Sequence, residues 1–247
     1  MDKSVSHINT LYFSTAGSEY PISIQYNRRQ KHIHLRINSE GRIVLSAPIG
    51  TSRSKIRGVL THKQEWLASK IQETQQGLQQ HNPTEKIYLE GRLFQVEFNN
   101  PGLSTYSIEV IYEQQKVCIS GDPTNQQKIT GLLEGWLRKE AQARIVNHTE
   151  RVSEELGIPY KKLFLRNQRT RWGSSSSRGN ISLNWRTVMA PPAVQRYLLI
   201  HELIHQKHMN HSTRFWQKVG SVCPEYRQHE AWLKENRALM GLFRESK

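Results

Sequence analysis

The chain has 247 residues, a formal charge of +14 and an isoelectric point near 9.9. That length suffices for one large domain or two small ones with a real core, and six tryptophans with nine tyrosines argue against disorder at 36% hydrophobic content. No apolar run nears the length of a membrane span, residues 1–17 lack a signal-peptide core, and the two distant cysteines, Cys118 and Cys223, give no disulfide framework.

These features point to a cytoplasmic protein with no membrane partner. The positive charge allows a polyanionic partner such as DNA or another nucleic acid, and it also serves solubility. Basic residues are spread over both halves, including Arg28-Arg29-Gln30-Lys31 and the run from Arg166 to Arg171. No nucleic-acid module accompanies them.

In chain order, Ile33, Leu35 and Ile37 alternate with polar neighbours, Ser39-Glu40-Gly41 makes a turn, and Ile43 and Leu45 resume the alternation, which predicts a hairpin. One amphipathic helix follows, with Ile56, Val59, Leu60, Trp66, Leu67 and Ile71 on its apolar face. The polar stretch from Thr74 to Glu85 reads as a connection, and the runs Ile87 to Phe98 and Ile108 to Ile119 as two strands.

Gly121-Asp122-Pro123 is the strongest boundary signal. It predicts a β-rich domain over 1–122 and a second domain over 123–247. A long helix is expected from Asn125 to Leu156, stopped by Gly157-Ile158-Pro159, and the sequence shows no internal repeat. Phe164 and Leu165, the turn-rich loop from Trp172 to Gly179, and alternating Ile181, Leu183 and Trp185 predict a second hairpin. An exposed strand edge there would pair with an extended peptide through main-chain hydrogen bonds. Arg171, Trp172 and Asn184 are its candidates for lining a substrate cleft.

The most informative stretch is His201-Glu202-Leu203-Ile204-His205. Residues four apart share a helix face, so two imidazoles can grip one metal ion while Glu202 reaches its bound water. Zinc lowers the pKa of such a water towards neutrality, and a nearby carboxylate can take its proton. From Lys161 to Gly220 the only acidic residue is Glu202, against eleven lysines and arginines. Tyr197, Leu198, Leu199 and Ile200 form an apolar approach that should bury the helix, with Pro191-Pro192 suited to its first turn. Buried histidines and a glutamate need compensation for their desolvation.

For a third ligand, His208 lies about 10 Å along the helix axis from His201, too far for one straight helix to wrap around one ion. Asn210 can take the left-handed conformation that ends helices, which would bring His211 back before a new helix capped by Ser212 and carrying Phe215, Trp216 and Val219. Glu225, in Cys223-Pro224-Glu225-Tyr226, is the rival ligand. His208 and His229 read as supporting or surface residues, and Tyr226, His208 and Arg171 as candidates to stabilise an oxyanion.

The ordered series Arg171-Trp172-Gly173-Ser174, Asn184-Trp185-Arg186, Pro191-Pro192, His201 to His205, and Asn210-His211-Ser212 with Phe215-Trp216 resembles the YgjP-like metallopeptidase family. That family is similar in its catalytic core to the SprT/Spartan-like proteases. The first half is similar too, in its hairpin, the Ala47-Pro48 step and the helix with Trp66-Leu67, so the resemblance spans most of the chain. It implies zinc at His201, His205 and His211, one ion per chain, with Glu202 as general base. Ser175 departs from the pattern, since many relatives have Cys there.

The expectation is an α+β protein in which a β-rich N-terminal domain precedes a minimal zincin-like metallopeptidase domain acting on a protein or peptide. Two rivals are a metal-dependent phosphoesterase or nuclease, which would need several carboxylates, and a nucleic-acid-binding module with a structural zinc, which would favour paired cysteines.

Overall fold

Alternating apolar residues build the first sheet. In a computed structural model that describes residues 9–15, 18–37, 42–80 and 82–243, β1 (Asn9–Thr15), β2 (Ser18–Asn27), β3 (His34–Ile37) and β4 (Ile43–Pro48) pair in the order β1-β2-β4-β3. The central pair β2–β4 is parallel and the outer pairs are antiparallel. Ile22 and Ile24 on β2, with Ile43, Leu45 and Ala47 on β4, are buried under two helices, α1 (Arg53–His62) and α2 (Gln64–Gln80), which contribute Ile56, Leu60, Leu67 and Ile71.

The hairpin expected over residues 33–45 is β3–β4; its Ser39-Glu40-Gly41 turn lies outside the described residues. The single expected helix is two, interrupted at Lys63. Trp66 is 40% exposed and sits off the buried face. The second helix continues to Gln80, into the stretch read as a connection, because the four glutamines and Leu78 there are good helix formers.

A second sheet repeats the arrangement. Strands β5 (Lys86–Leu89), β6 (Arg92–Asn99), β7 (Ser107–Ile111) and β8 (Lys116–Ser120) pair in the order β5-β6-β8-β7, again with a parallel central pair. The chain therefore repeats a topology that its residues do not advertise. Each expected strand is a hairpin. The first turns at Glu90-Gly91, where φ is 51° and 75°, the two left-handed residues a two-residue hairpin loop requires. Glu at the first position hides this turn, since Asn or Asp is the usual signal.

The same turn locks the sheet to residues 188–191. The Glu90 and Gly91 N–H groups donate to the carbonyls of Val188 (2.8 Å) and Met189 (3.0 Å). Arg144 Nη1 donates to Glu90 Oε2 at 2.7 Å. A Cβ on Gly91 would stand 2.9 Å from Pro191 Cγ.

Helix α3 (Gln126–Leu156) starts at Asn125, whose side chain accepts the Lys128 N–H, and ends at left-handed Gly157, as expected. Its Ile129, Leu133, Trp136 and Leu137 share one core with Ile87, Phe94, Val117 and Ile119 of the second sheet. The compact units are consequently residues 1–80 and 81–247, not 1–122 and 123–247. Gly121-Asp122-Pro123 marks a turn inside the second unit.

Beyond α3 come β9 (Lys162–Arg166), β10 (Gly173–Ser175) and β11 (Asn180–Asn184), in the sheet order β10-β11-β9. The predicted hairpin is the antiparallel pair β10–β11; β9, expected as its first strand, instead pairs parallel to β11 on the far side. A 3-10 helix (Trp185–Met189), then α4 (Pro192–Ile204), α5 (Thr213–Val222) and α6 (Tyr226–Glu235), complete the site. The chain is thus a mixed α/β protein. No helix among the described residues is long and apolar enough to cross a membrane.

Candidate metal centre

Helix α4 begins with Pro192 in its first turn and buries Tyr197, Leu198, Leu199 and Ile200. His201 and Glu202 occupy its last turn, and His205 caps its C-terminus. The chain leaves the helix through residues 205–207, where the N–H groups of Gln206 and Lys207 donate to Leu203 and Ile204 carbonyls. Asn210, expected to make the turn in a left-handed conformation, has no positive φ. Ser212 does precede α5, although its side chain makes no capping bond.

The reversal carries His211 back onto the helix end. Nε2 of His205 lies 3.2 Å from Nε2 of His201 and 3.2 Å from that of His211, and the third side of the triangle is 3.0 Å. Three imidazole nitrogens meeting pairwise cannot all be hydrogen bonded. Each is a donor or an acceptor, so at least two are of one kind and repel. A central cation reconciles them, and three nitrogens about 2.0–2.1 Å from a tetrahedral zinc would stand about 3.3 Å apart. The group is the metal-capable cluster found among the described residues.

The surroundings favour neutral, ligating rings. Burial, then the neighbouring His205 and His211, push the pKa of His201 down to about 3. Burial also lowers that of His205, against the opposing effect of its bond to the His208 carbonyl. That bond, 2.9 Å from His205 Nδ1, fixes the proton on Nδ1 and leaves the Nε2 lone pair free for a metal. Tyr197 Oη lies 3.4 Å from His201 Nδ1. Phe215 stacks on His205 with centroids 4.4 Å apart, and Trp216 stacks on His211 at 5.6 Å.

Glu202 is 4% exposed, and its Oε2 has no hydrogen-bond partner among the described residues. Burial raises its pKa to about 8, opposed by the charge of Arg171. An unpartnered buried carboxyl oxygen beside three converging lone pairs is costly alone and fits a centre that holds a metal and a water. The other oxygen lies over Gly173, where a Cβ would come within 2.4 Å of it. This close approach gives the Trp-Gly step a physical reason that the sequence alone did not supply.

The remaining expected site residues divide. Trp172 is buried, donates its indole N–H to the Leu233 carbonyl at 2.9 Å, and lines a cleft of about 250 Å³ with Leu198, His201, Glu202 and Leu233. Arg171 is exposed and near enough for its charge to act on Glu202. Asn184 does not reach the cleft. It is wholly buried, its Nδ2 donates to the Gln168 carbonyl at 3.0 Å, and its Oδ1 accepts the Arg186 N–H at 3.2 Å.

Glu225 is exposed at the start of α6 and does not join the histidine cluster. The His208 ring is likewise outside it; His208 contributes its carbonyl. The His229 ring lies 6.0 Å from that of Tyr197. Tyr226 stacks against Trp216 at 5.3 Å, one layer behind His211.

Residues 31–236 match the YgjP-like metallopeptidase domain. The chain belongs to the YgjP-like metallopeptidase family. The match covers part of the first compact unit, most of the second and all three histidines, and a metal-dependent peptidase is the reading family and cluster share. No curated protein matches this YgjP-like chain. Among solved structures it is similar to the crystal structure of the metallopeptidase zymogen of Pyrococcus abyssi abylysin, with 23% identity, 37% of this chain and 93% of that chain covered, and a TM-score of 0.34. A likeness that slight carries no argument.

Proposed function

We propose that the protein is a zinc-dependent peptidase binding one zinc ion through His201, His205 and His211, with Glu202 as general base. The observation that carries this reading is the triangle of Nε2 atoms, with His201 sharing a cleft with the buried Glu202, whose second oxygen has no partner among the described residues. Zinc, when bound, would supply Lewis acidity, polarising a carbonyl and bringing the pKa of water near neutrality.

Glu202 takes the proton of the attacking water and passes it to the leaving amine. The cleft beside Glu202 therefore receives the residue whose nitrogen departs. Trp172, Leu198 and Leu233 give it an apolar floor.

Strand β10 supplies the docking edge. Trp172 and Ser176 bond across to Asn184 and Asn180 of the β11 side. By the alternation of an antiparallel ladder, the main-chain groups of Gly173 and Ser175 point to the opposite, open side. An extended peptide pairing there would pass directly over Glu202. A phosphoesterase would call for several carboxylates around the metal, and the cluster here is all histidine.

The test uses protein loaded with zinc and an unstructured protein substrate. Elemental analysis should give about one zinc per chain. Glu202→Gln should keep the metal and lower cleavage at least about 100-fold, the lower end for general acid–base catalysis. His211→Ala should weaken zinc binding by orders of magnitude, whereas Glu225→Ala should change it by less than about tenfold. Undiminished cleavage by Glu202→Gln, or two metals per chain, would overturn the mechanism.

A further inference from the structure

The first unit carries a charged end that the proposed chemistry does not use. Strands β2 and β4 run parallel with Asn27 beside Pro48, so both leave the sheet at the same end. From there one enters Arg28-Arg29-Gln30-Lys31-His32 and the other enters Ile49-Gly50-Thr51-Ser52, followed by α1 with Arg53, Lys55 and Arg57. Strand β3 starts at that end too, since His34 pairs with Ser46. Two loops and a helix N-terminus thus bring Arg28, Arg29, Lys31, Arg53 and Lys55 together, all of them exposed.

The loop that presents three of these cations is built, not slack. Gln30 Nε2 donates to the carbonyls of Ser46 (3.0 Å) and His32 (2.9 Å), the Gln30 N–H donates to the Asn27 carbonyl (3.3 Å), and Asn27 Oδ1 accepts the Arg29 N–H (2.9 Å). Among the described residues, Arg28, Arg29, Lys31 and Lys55 make no ion pair. The acids described in this unit stand elsewhere. Glu19 is eight residues from Asn27 along β2, about 26 Å at a strand's rise, and Glu65 and Glu73 are on α2.

We propose that this end of the first unit is a docking surface for the phosphodiester backbone of a nucleic acid. Guanidinium groups grip phosphate oxygens in pairs, and the N-terminus of α1 adds its partial positive charge. A membrane would need an apolar face between the cations, and the large apolar side chain exposed at this end is Ile49 alone among the described residues. Spacing cations over two loops and a helix suits a line of phosphates better than one small anion.

The experiment measures binding of the full chain to a labelled 20-base-pair DNA duplex across a salt series, beside phosphatidylserine vesicles. Binding should be clear at about 50 mM salt and weaken steeply, because each neutralised phosphate releases counterion. Replacing Arg28, Arg29, Lys31 and Lys55 by alanine should flatten the log–log slope by up to about 3.6, at about 0.9 per contact. A control with Lys128, Lys139, Arg151 and Lys162 replaced by alanine carries the same change in net charge and should keep the wild-type slope.

Circular dichroism and zinc content should be unchanged in both variants, which separates loss of docking from loss of fold. Three results overturn the proposal: no duplex binding at about 50 mM salt, equal loss in the two variants, or vesicle binding without duplex binding.

Discussion

At Gly173 the absence of a side chain leaves room for the Glu202 carboxyl group. Glu202 and Gly173 approach so closely that a methyl group at 173 would stand 2.4 Å from Glu202 Oε1 and 2.9 Å from its Cδ. The neighbouring ladder fixes the strand, so the adjustment falls on the end of the Glu202 side chain. In Gly173→Ala the carboxylate must rotate away from the water it would activate. A displacement of about 1 Å at a reacting group can lower rates up to about 100-fold. The expected outcome is a fall in peptide hydrolysis of that order with zinc affinity held within about tenfold, the lower range for a change outside the ligands. Parallel zinc titration and rate measurement check it; loss of metal would show that Gly173 supports the histidines instead.

Among the elements, those with strong local signals were legible and those defined by long-range pairing were not. Helix α3 announced itself through apolar spacing, an Asn cap and a Gly stop. Once helical, the HExxH pentapeptide places His201 and His205 one turn apart, and His211 could be proposed because a third ligand would have to return from beyond the helix. The partner of β9 could not be read, since parallel pairing with β11 depends on segments far apart in sequence.

Asn184 is hard to place for a related reason: a polar residue at a strand end suits a cleft, but this one serves the interior together with Arg186. Arg186 is wholly buried. It donates from Nε to the Leu242 carbonyl at 2.9 Å, from Nη2 to the same oxygen, and from Nη1 to Asn167 Oδ1 at 2.6 Å. It thereby ties the C-terminal segment to the loop before β10. Arg186→Met leaves those buried acceptors without donors and should cost about 3 kcal/mol, given the worth of hydrogen bonds to a charged group. At the usual scaling for this size the unfolding temperature should drop by about 6–12 °C. Scanning calorimetry measures the shift, and an unchanged transition would mean that water replaces the guanidinium there.

At the scale of the whole molecule, two sheets of identical strand order meet different fates. The first sheet closes its core with α1 and α2, whose apolar residues come from within residues 1–80. The second shares its core with α3 and, through α3, with the helices of the metal centre. A cut after residue 80 leaves this core whole, whereas a cut at 122 strips Ile87, Phe94, Val117 and Ile119 from Ile129, Leu133 and Trp136. The second cut also removes the Glu90-Gly91 turn that braces Val188 and Met189 just ahead of α4. Each large side chain left exposed forfeits about 1.5–3 kcal/mol, and four of them exceed much of the roughly 5–15 kcal/mol that holds a domain folded. A chain of residues 81–247 should therefore fold cooperatively and bind zinc, while one of residues 123–247 should be aggregation-prone with no cooperative transition. Thermal unfolding and zinc titration of the two fragments decide the matter: a folded, zinc-binding 123–247 would restore the boundary at Gly121-Asp122-Pro123 and assign the second sheet to the N-terminal domain.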